Sequence, residues 1–428
     1  MEQIKKTAAA VTLGCRLNQA DTALIFGRLK EAGYEILESD TAEPLDLIII
    51  NSCAVTAAAS QKSRQFARSF RKKHPQAKII VTGCDSETEK EFWMKQKTAD
   101  IYLPNPDKSK ILDYINDITP RESSADKSIF KEDAVSIYPF RSRAFIKIQE
   151  GCESFCTYCI VPYARGPERS RDRDEVVSEF RKLIGQGHHE IILTGVNIST
   201  YRHGSCRLSD LLLELSAIDG DFRIRLSSTE PHPENRKLIG IMKDNPKICR
   251  FLHLPLQHGA NEILKLMGRK YTSEEFADFA NEAVSSIPGL HLGTDVICGF
   301  PGETEELFEK SCRFIESIPF ANLHVFSYSP RKGTPAADFP DTVPDKVMKR
   351  RHKTLDEIED KLASQFLDSQ IGQTLKVLIE KVRTHGGCEG WTDNYIRIKT
   401  DIENAKVNSF ANVLIKSRSG KILEGCRI

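Results

Sequence analysis

Short apolar runs, each followed by a stretch of helical period, recur from residue 8 to residue 329. This alternation restricts the chain to an α/β architecture built on parallel strands. AAAVTL (8–13), LDLIIIN (45–51) and KIIVTG (78–83) are apolar enough to be covered on both faces. Helical patterns at 18–32 and 57–73 separate them, so residues 1–118 read as a small doubly wound sheet. TPRESSADKSIFKEDAVSIYPF (119–140) has no period and reads as a linker. A second series follows: FIKIQ (145–149), EIILTG (190–195), FRIRLSS (222–228), FLHLPLQ (251–257), LHLGTDVIC (290–298) and NLHVFSYS (322–329). Most of these are followed by helical patterns, and six β/α units in a row suit a partial (β/α)6 barrel over residues 141–369. An open sheet is the alternative. A charged helix at 345–369 leads into β-patterned residues 370–428, a small antiparallel sheet or barrel with 10 Lys+Arg against 6 Asp+Glu.

Composition narrows the function classes. The chain has 428 residues, 61 Lys+Arg against 60 Asp+Glu and 40% hydrophobic residues, which excludes a disordered tail protein and a membrane bundle. No run approaches the ~18 apolar residues of a spanning helix. The opening MEQIKKTAAAVTLGC lacks the apolar core of a secretory signal, so a cytoplasmic location with no membrane partner is expected. Twelve cysteines in a reducing compartment favour metal or redox chemistry over disulfides.

Two groups of cysteines are placed for that chemistry. Cys152, Cys156 and Cys159 form C-x3-C-x2-C just after FIKIQ, three thiols on one tight loop with no fourth Cys or His nearby in sequence. A zinc ion with a distant fourth ligand fits that pattern, as does a cluster that leaves one iron open to a small molecule. Cys15, Cys53 and Cys84 are far apart in sequence, yet each ends a strand of the first domain. Parallel strands bring such ends to one edge, where open α/β sheets bind ligands. Three buried apolar thiols are the competing reading.

GCESFCTYC resembles the radical S-adenosylmethionine (SAM) signature C-x3-C-x-aromatic-C, with Tyr158 as the aromatic residue. TLGCRLNQADT, NSCAVTAAASQKSRQ, VTGC, QEGCESFCTYCIVPYARGPERSR, ILTGVN, CRFLHLPLQHGANEILKLMGRKYT, DVICGFPGET and VFSYSPRKGTPAA extend the likeness over nearly the whole chain. Together they resemble the methylthiotransferase family of radical SAM enzymes. Two departures stand out: VTGCDSE, where relatives more often continue Ala-Gln, and Arg-Leu in TLGCRLN for a commoner Lys-Val. Neither touches a thiol. The resemblance implies an α/β fold: an N-terminal doubly wound flavodoxin-like domain, a central partial (β/α)6 TIM-like radical SAM barrel and a small C-terminal antiparallel β-barrel similar to TRAM modules.

The same resemblance implies two [4Fe-4S] clusters. One, on Cys152, Cys156 and Cys159, chelates SAM and cleaves it reductively to a 5′-deoxyadenosyl radical that takes the substrate hydrogen. The other, on Cys15, Cys53 and Cys84, holds or supplies the sulfur that a second SAM methylates. Partners are SAM, the tRNA anticodon stem-loop and a one-electron donor such as flavodoxin. Three substrates compete: adenosine 37 of tRNA bearing threonylcarbamoyl, the same base bearing isopentenyl, and an aspartate of a ribosomal protein. PYARGPERSR, CRFLHLPLQ, LHVFSYSPRKGTPAA and GWTDNYIRIK look most like the threonylcarbamoyladenosine branch. A non-catalytic, metal-containing RNA-binding scaffold is the alternative of a different class.

For SAM binding, Tyr158 is expected to line the adenine, or else to pack under its loop. Ser228 and Glu230, after the third barrel strand, are expected at the ribose or amine, or else in ordinary loop hydrogen bonds. Glu303 and Thr304 of GFPGET shape a turn, while His253, Gln257 and His258 read more readily as core residues than as ligands. Cys206, Cys249, Cys298, Cys312, Cys388 and Cys426 read as structural thiols. Three basic elements point to RNA: QKSRQFARSFRKK (61–73), Arg165, Arg169, Arg171 and Arg173 of ARGPERSRDR, and the C-terminal β-region with Trp391 and Tyr395 for stacking.

Overall fold

The structure, a computed structural model, describes residues 5–96, 98–116, 130, 142–383, 387–402 and 404–428. The expected linker, 119–140, lies outside the described residues except for Phe130.

The first unit is a five-stranded, all-parallel sheet of β1 (Thr7–Thr12), β2 (Glu35–Ile36), β3 (Leu47–Ser52), β4 (Lys78–Gly83) and β5 (Ile101–Tyr102) in the order β2-β1-β3-β4-β5. That is a doubly wound, flavodoxin-like order, with its switch point between β1 and β3. The edge strands β2 and β5 escape sequence reading because two residues carry no periodicity. Apolar clusters cover both faces, one around Ile48, Ile50 and Trp93, the other around Ile25, Leu47 and Ile49.

Six parallel barrel strands follow: β6 (Arg143–Lys147), β7 (Glu190–Thr194), β8 (Arg223–Leu226), β9 (Phe251–His253), β10 (His291–Cys298) and β11 (Asn322–Ser327). They pair in sequence order as two three-stranded halves. A parallel bridge between Ile224 and Ile248, and the Thr229 N–H donating to the His253 carbonyl at 2.9 Å, join the halves. The helices start at their sequence-encoded caps. Asp172 caps Arg173–Gly185, Thr272 and Glu275 form a capping box on Ser273–Ser286, and Thr304 caps Glu305–Ser317.

The first unit spans the open side of this partial barrel. Helix Arg16–Glu31 packs on β6, with Ala20 and Ala23 inside the barrel's own core cluster. At the other edge, beyond β11, the Ser329 hydroxyl accepts from the Ala57 N–H at 3.1 Å and Arg331 donates to Ser60 at 3.0 Å.

The C-terminal unit is a closed five-stranded barrel of β12 (Thr374–Val382), β13 (Cys388–Thr392), β14 (Arg397–Thr400), β15 (Phe410–Ser419) and β16 (Ile422–Arg427). Four of its seams are antiparallel. The β14–β16 seam is parallel, because the chain passes β14's free edge to lay down β15 before returning between them. Buried Arg223 and Arg225 fasten this barrel to the six-stranded partial barrel, pairing with Glu190 and donating to the carbonyls of Lys376, Trp391, Thr392 and Asp393.

Candidate functional site

Cys15, Cys53 and Cys84 follow β1, β3 and β4, which are neighbours in the sheet. A polar ladder locks these strand ends together. Buried Asn18 donates to the carbonyls of Leu13 and Ser52 at 2.7 and 3.0 Å. The Ser52 hydroxyl donates to the Thr82 carbonyl at 2.6 Å and accepts from the Ser86 N–H at 3.1 Å. Two glycines permit the approach. A Cβ on Gly14 (φ +92°) would lie 2.8 Å from the Cys53 sulfur, and one on Gly83 (φ +96°) would lie 2.3 Å from the Ser52 carbonyl oxygen. Burial pushes the Cys53 thiol up to about 12, with Cys84 and Cys15 adding to it. Burial raises Cys84 too, opposed by Arg165.

The second triad is local. The Cys159 N–H donates to the Cys156 carbonyl at 2.9 Å, the Cys152 N–H to Gly166 at 3.1 Å and the Thr157 N–H to Met267 at 3.0 Å, folding the loop onto the barrel mouth. Burial pushes Cys159 up to about 12, with Cys156 and Cys152 contributing. Buried thiols such as Cys53, Cys84 and Cys159, with raised values, favour a partner that supplies positive charge, as a metal centre does.

The size of that centre is constrained. A tetrahedral zinc with Zn–S of about 2.3 Å would draw its sulfurs to roughly 3.8 Å. Among the described residues only His253, Asp295 and His324 gather three ligand atoms within 4.8 Å of one another, so neither cysteine triad is drawn in that far. Three thiols apiece are a donor set that fits a cluster with one iron left open.

Each triad has one arginine against a sulfur. Arg269 donates to Cys156 Sγ at 3.3 Å, to Glu230 at 2.9 Å and to the Tyr271 hydroxyl at 3.0 Å. Glu230 therefore sits beside the loop triad. The Ser228 hydroxyl lies 2.9 Å from His253 Nδ1. Tyr158 packs against Phe300 and the cluster of Ile263, Met267 and Ile297. Glu303 is bound to His258, to the Gly299 N–H and to Arg351, so GFPGET shapes backbone and His258 is a satisfied core residue.

His253, Asp295 and His324 stand on adjacent strands β9, β10 and β11, and His253 reaches Asp295 at 3.3 Å. With Ser228 they form a polar pole beside the apolar core. Arg16, next to exposed Cys15, lies over the Phe251 and Tyr395 rings at 5.0 and 5.2 Å, and its charge is felt at His324. Sequence reasoning named Ser228 and His253 of this pole but missed Asp295, His324, Arg269, and the buried Asn18 and Asp21. The last two leave a trace: polar residues one turn apart on an otherwise apolar helix face.

The expected basic face is only partly present. Arg165 is buried against Cys84, Arg171 pairs with Glu179, Arg173 with Glu214, and Arg169 donates to the Arg165 carbonyl. Burial turns Arg165 and Arg171 to internal acceptors, while Arg173 stays exposed in its pair with Glu214, so the run is at most a broken phosphate comb. Trp391 and Tyr395 stack on each other at 4.7 Å, with Arg143 over both rings. Exposed aromatics lie elsewhere: Phe155 and Tyr163 meet edge to face at 6.2 Å beside the loop triad.

Comparison with known proteins adds the following. Residues 146–315 match the Radical SAM superfamily and residues 7–104 match Uncharacterized protein family UPF0004. The threonylcarbamoyladenosine tRNA methylthiotransferase MtaB of Bacillus subtilis is 38% identical over 406 residues, covering 92% of this chain and 90% of that protein. The MtaB of Thermotoga maritima is 32% identical, covering 99% and 97%. A tRNA-2-methylthio-N(6)-dimethylallyladenosine synthase of Thermodesulfovibrio yellowstonii is 33% identical, covering 97% of each chain. Among solved structures, the radical SAM methyltransferase TsrM of Kitasatospora setae aligns with TM-score 0.56 at 16% identity, over 78% of this chain and 77% of that one, a likeness of fold.

Proposed function

The chain belongs to the radical SAM methylthiotransferase family, and on that premise we propose that it converts N6-threonylcarbamoyladenosine at position 37 of tRNA to its 2-methylthio derivative. The observation that carries this choice of substrate is the polar pole of Ser228, His253, Asp295 and His324, with the Arg16 charge acting on His324. An isopentenyl group would strip water from these groups and return no hydrogen bond, whereas a threonylcarbamoyl group brings a carboxylate, a hydroxyl and amides. The 33% identical synthase named for dimethylallyladenosine keeps the isopentenyl substrate as the second reading.

The family implies SAM and a [4Fe-4S] cluster; we assign that cluster to Cys152, Cys156 and Cys159, and a second one to Cys15, Cys53 and Cys84. When bound, these groups supply radical hydrogen abstraction and sulfur and methyl transfer, which no side-chain acid or base can perform on an aromatic C–H. The remaining work belongs to the chain. Arg269 ties Cys156 to Glu230, orienting the loop triad toward the residues after β8. The first unit covers the barrel mouth and holds Cys15, the exposed thiol of its triad, beside Arg16. Phe155 and Tyr163 offer faces on which unpaired bases of the anticodon stem-loop stack. In this reading residues 1–118 carry the second cluster, 141–369 the SAM chemistry and 370–428 an RNA-facing barrel, with electrons from a donor such as flavodoxin.

Mass spectrometry of tRNA nucleosides from a deletion strain tests the substrate. Loss of the methylthio group from threonylcarbamoyladenosine, with the isopentenyl derivative intact, is the expected result; the reverse pattern assigns the second reading.

A further inference from the structure

Arg165, whose side chain is 1% exposed, occupies a position that an RNA-binding role cannot explain. Its Nε donates to Cys84 Sγ at 3.3 Å, one terminal nitrogen to Glu150 at 2.7 Å, and the other to Asn18 at 2.5 Å and Asp21 at 3.0 Å. Each of these partners belongs to a segment that carries a cysteine of one triad or the other. Asn18 and Asp21 lie in the first turns of the helix capped by Cys15. Glu150 stands two residues before Cys152, and Arg165 itself ends the short helix Val161–Arg165 that follows Cys159. The wall between the triads is apolar and close-packed, with Ala54 and Cys84 on one side and Ile160 and Ala164 on the other. Asn105 holds the Ala164 carbonyl from the first unit at 3.0 Å.

A planar guanidinium with four fixed acceptors is a rigid spacer, and lysine cannot reproduce that fork. Its contact with a ligating sulfur also has an electronic consequence. Hydrogen bonds to thiolate sulfur and nearby positive charge stabilise the more negative, reduced state of an iron–sulfur cluster and so raise its potential. The Arg165–Cys84 contact itself is buried, which strengthens both effects.

We propose that Arg165 is a positioning residue of the second site, whose Nε–H···Sγ bond to Cys84 sets the reduction potential of the cluster held by Cys15, Cys53 and Cys84. This rests on the reading that those three thiols hold a cluster. The test uses the full chain carrying Cys152→Ala, Cys156→Ala and Cys159→Ala, reconstituted anaerobically, so that the second site alone contributes. Iron is counted, and the cluster is titrated with dithionite while its electron paramagnetic resonance signal is followed. About four irons per chain are expected. Arg165→Gln should move the potential to more negative values and Glu150→Gln, which removes a negative charge beside the guanidinium, to more positive ones. Arg165→Lys should recover part of the shift. Opposite signs from two neighbours are not what loss of packing produces. If Arg165→Gln does not fold, Glu150→Gln and Arg165→Lys carry the test. Iron retained with the potential unmoved in the variants that fold overturns the proposal. Absence of iron from the background protein refutes the cysteine assignment instead, a distinct result.

Discussion

The two cysteine triads are assembled by opposite means. Cys152, Cys156 and Cys159 sit on one loop whose own backbone bonds fold it. Cys15, Cys53 and Cys84 come from three strand ends and depend on sheet register, on Gly14 and Gly83, and on an arginine from the neighbouring unit. A local site is a property of a segment, whereas a distributed site is a property of the whole fold. The distributed triad should therefore be the more sensitive to changes that touch no sulfur.

The largest effect separates the two by function. Replacing Cys152, Cys156 and Cys159 with Ala should reduce SAM cleavage to background, while the same change at Cys15, Cys53 and Cys84 should leave cleavage and abolish sulfur insertion. Anaerobic assays of 5′-deoxyadenosine and of methylthiolated nucleoside distinguish these outcomes. Methylthiolation surviving the second triple change would break the comparison at its root.

A sharper version leaves every thiol in place. Gly83→Ala drives a Cβ to within 2.3 Å of the Ser52 carbonyl and 2.6 Å of its nitrogen, so β3 and β4 must part. Gly268→Ala, beside the loop triad, meets nothing nearer than 3.7 Å and adds mainly the strain of φ +73°, roughly 1–3 kcal/mol. Iron analysis after reconstitution should show Gly83→Ala losing about half its iron and Gly268→Ala keeping nearly all. Equal retention would mean that register does not govern the distributed site.

The same contrast explains what was legible. The loop triad is readable because its spacing is the geometry. The distributed triad is readable once each cysteine is seen to end a strand. The neighbours that hold the triads are hidden because they arrive from other segments. Arg165 sits in an arginine-rich run that reads as a phosphate face, and no local pattern announces that its acceptors are Asn18, Asp21, Cys84 and Glu150. Glu230 was readable as a polar residue at a strand end, but its partner Arg269 lies in a separate motif. The overall α/β fold followed from periodicity because it is written in runs of ten or more residues. The two-residue edge strands and the parallel β14–β16 seam were not.

The buried charges at the junction give a third, intermediate effect. Asp21 is fully buried against Lys108, Lys147 and Arg165. Although burial works to raise it, these cations hold its carboxyl well below the usual range. They likewise bring Glu150, which Arg165 and Lys147 face, down to about 2. Depressed carboxylates contribute stability that is complete above their unfolded values and is lost as the pH falls. Asp21→Asn should cost roughly 3–5 kcal/mol at neutral pH, since it leaves buried cations short of a partner. The wild-type chain, before reconstitution, should lose stability progressively as the pH falls from 4.5 to about 2, the interval set by Glu150. Denaturant midpoints measured across that range decide the matter, and a flat profile would mean the network is not a stabilising one.

The smallest effect asks whether RNA binding is separable from the triads. In helix Ala57–Lys73, Arg64 pairs with Asp85 and lies over Phe92, Arg71 pairs with Asp100, and Lys73 donates to the Thr41 carbonyl. Lys62, Arg68 and Lys72 remain exposed. Six phosphate contacts would give a salt slope of roughly −4 to −5, but with Arg165 and Arg171 turned inward this helix offers four exposed cations, of which Lys73 is already held by the Thr41 carbonyl. Changing Lys62, Arg68 and Lys72 to Ala should therefore shrink the slope of log affinity against log salt by roughly 2 to 3 for tRNA. Iron content and SAM cleavage should stay as they are, because none of the three touches a strand end or the barrel mouth. A slope unchanged by the substitutions would move the RNA backbone to another face, and loss of iron alongside it would show that this helix also supports the distributed triad.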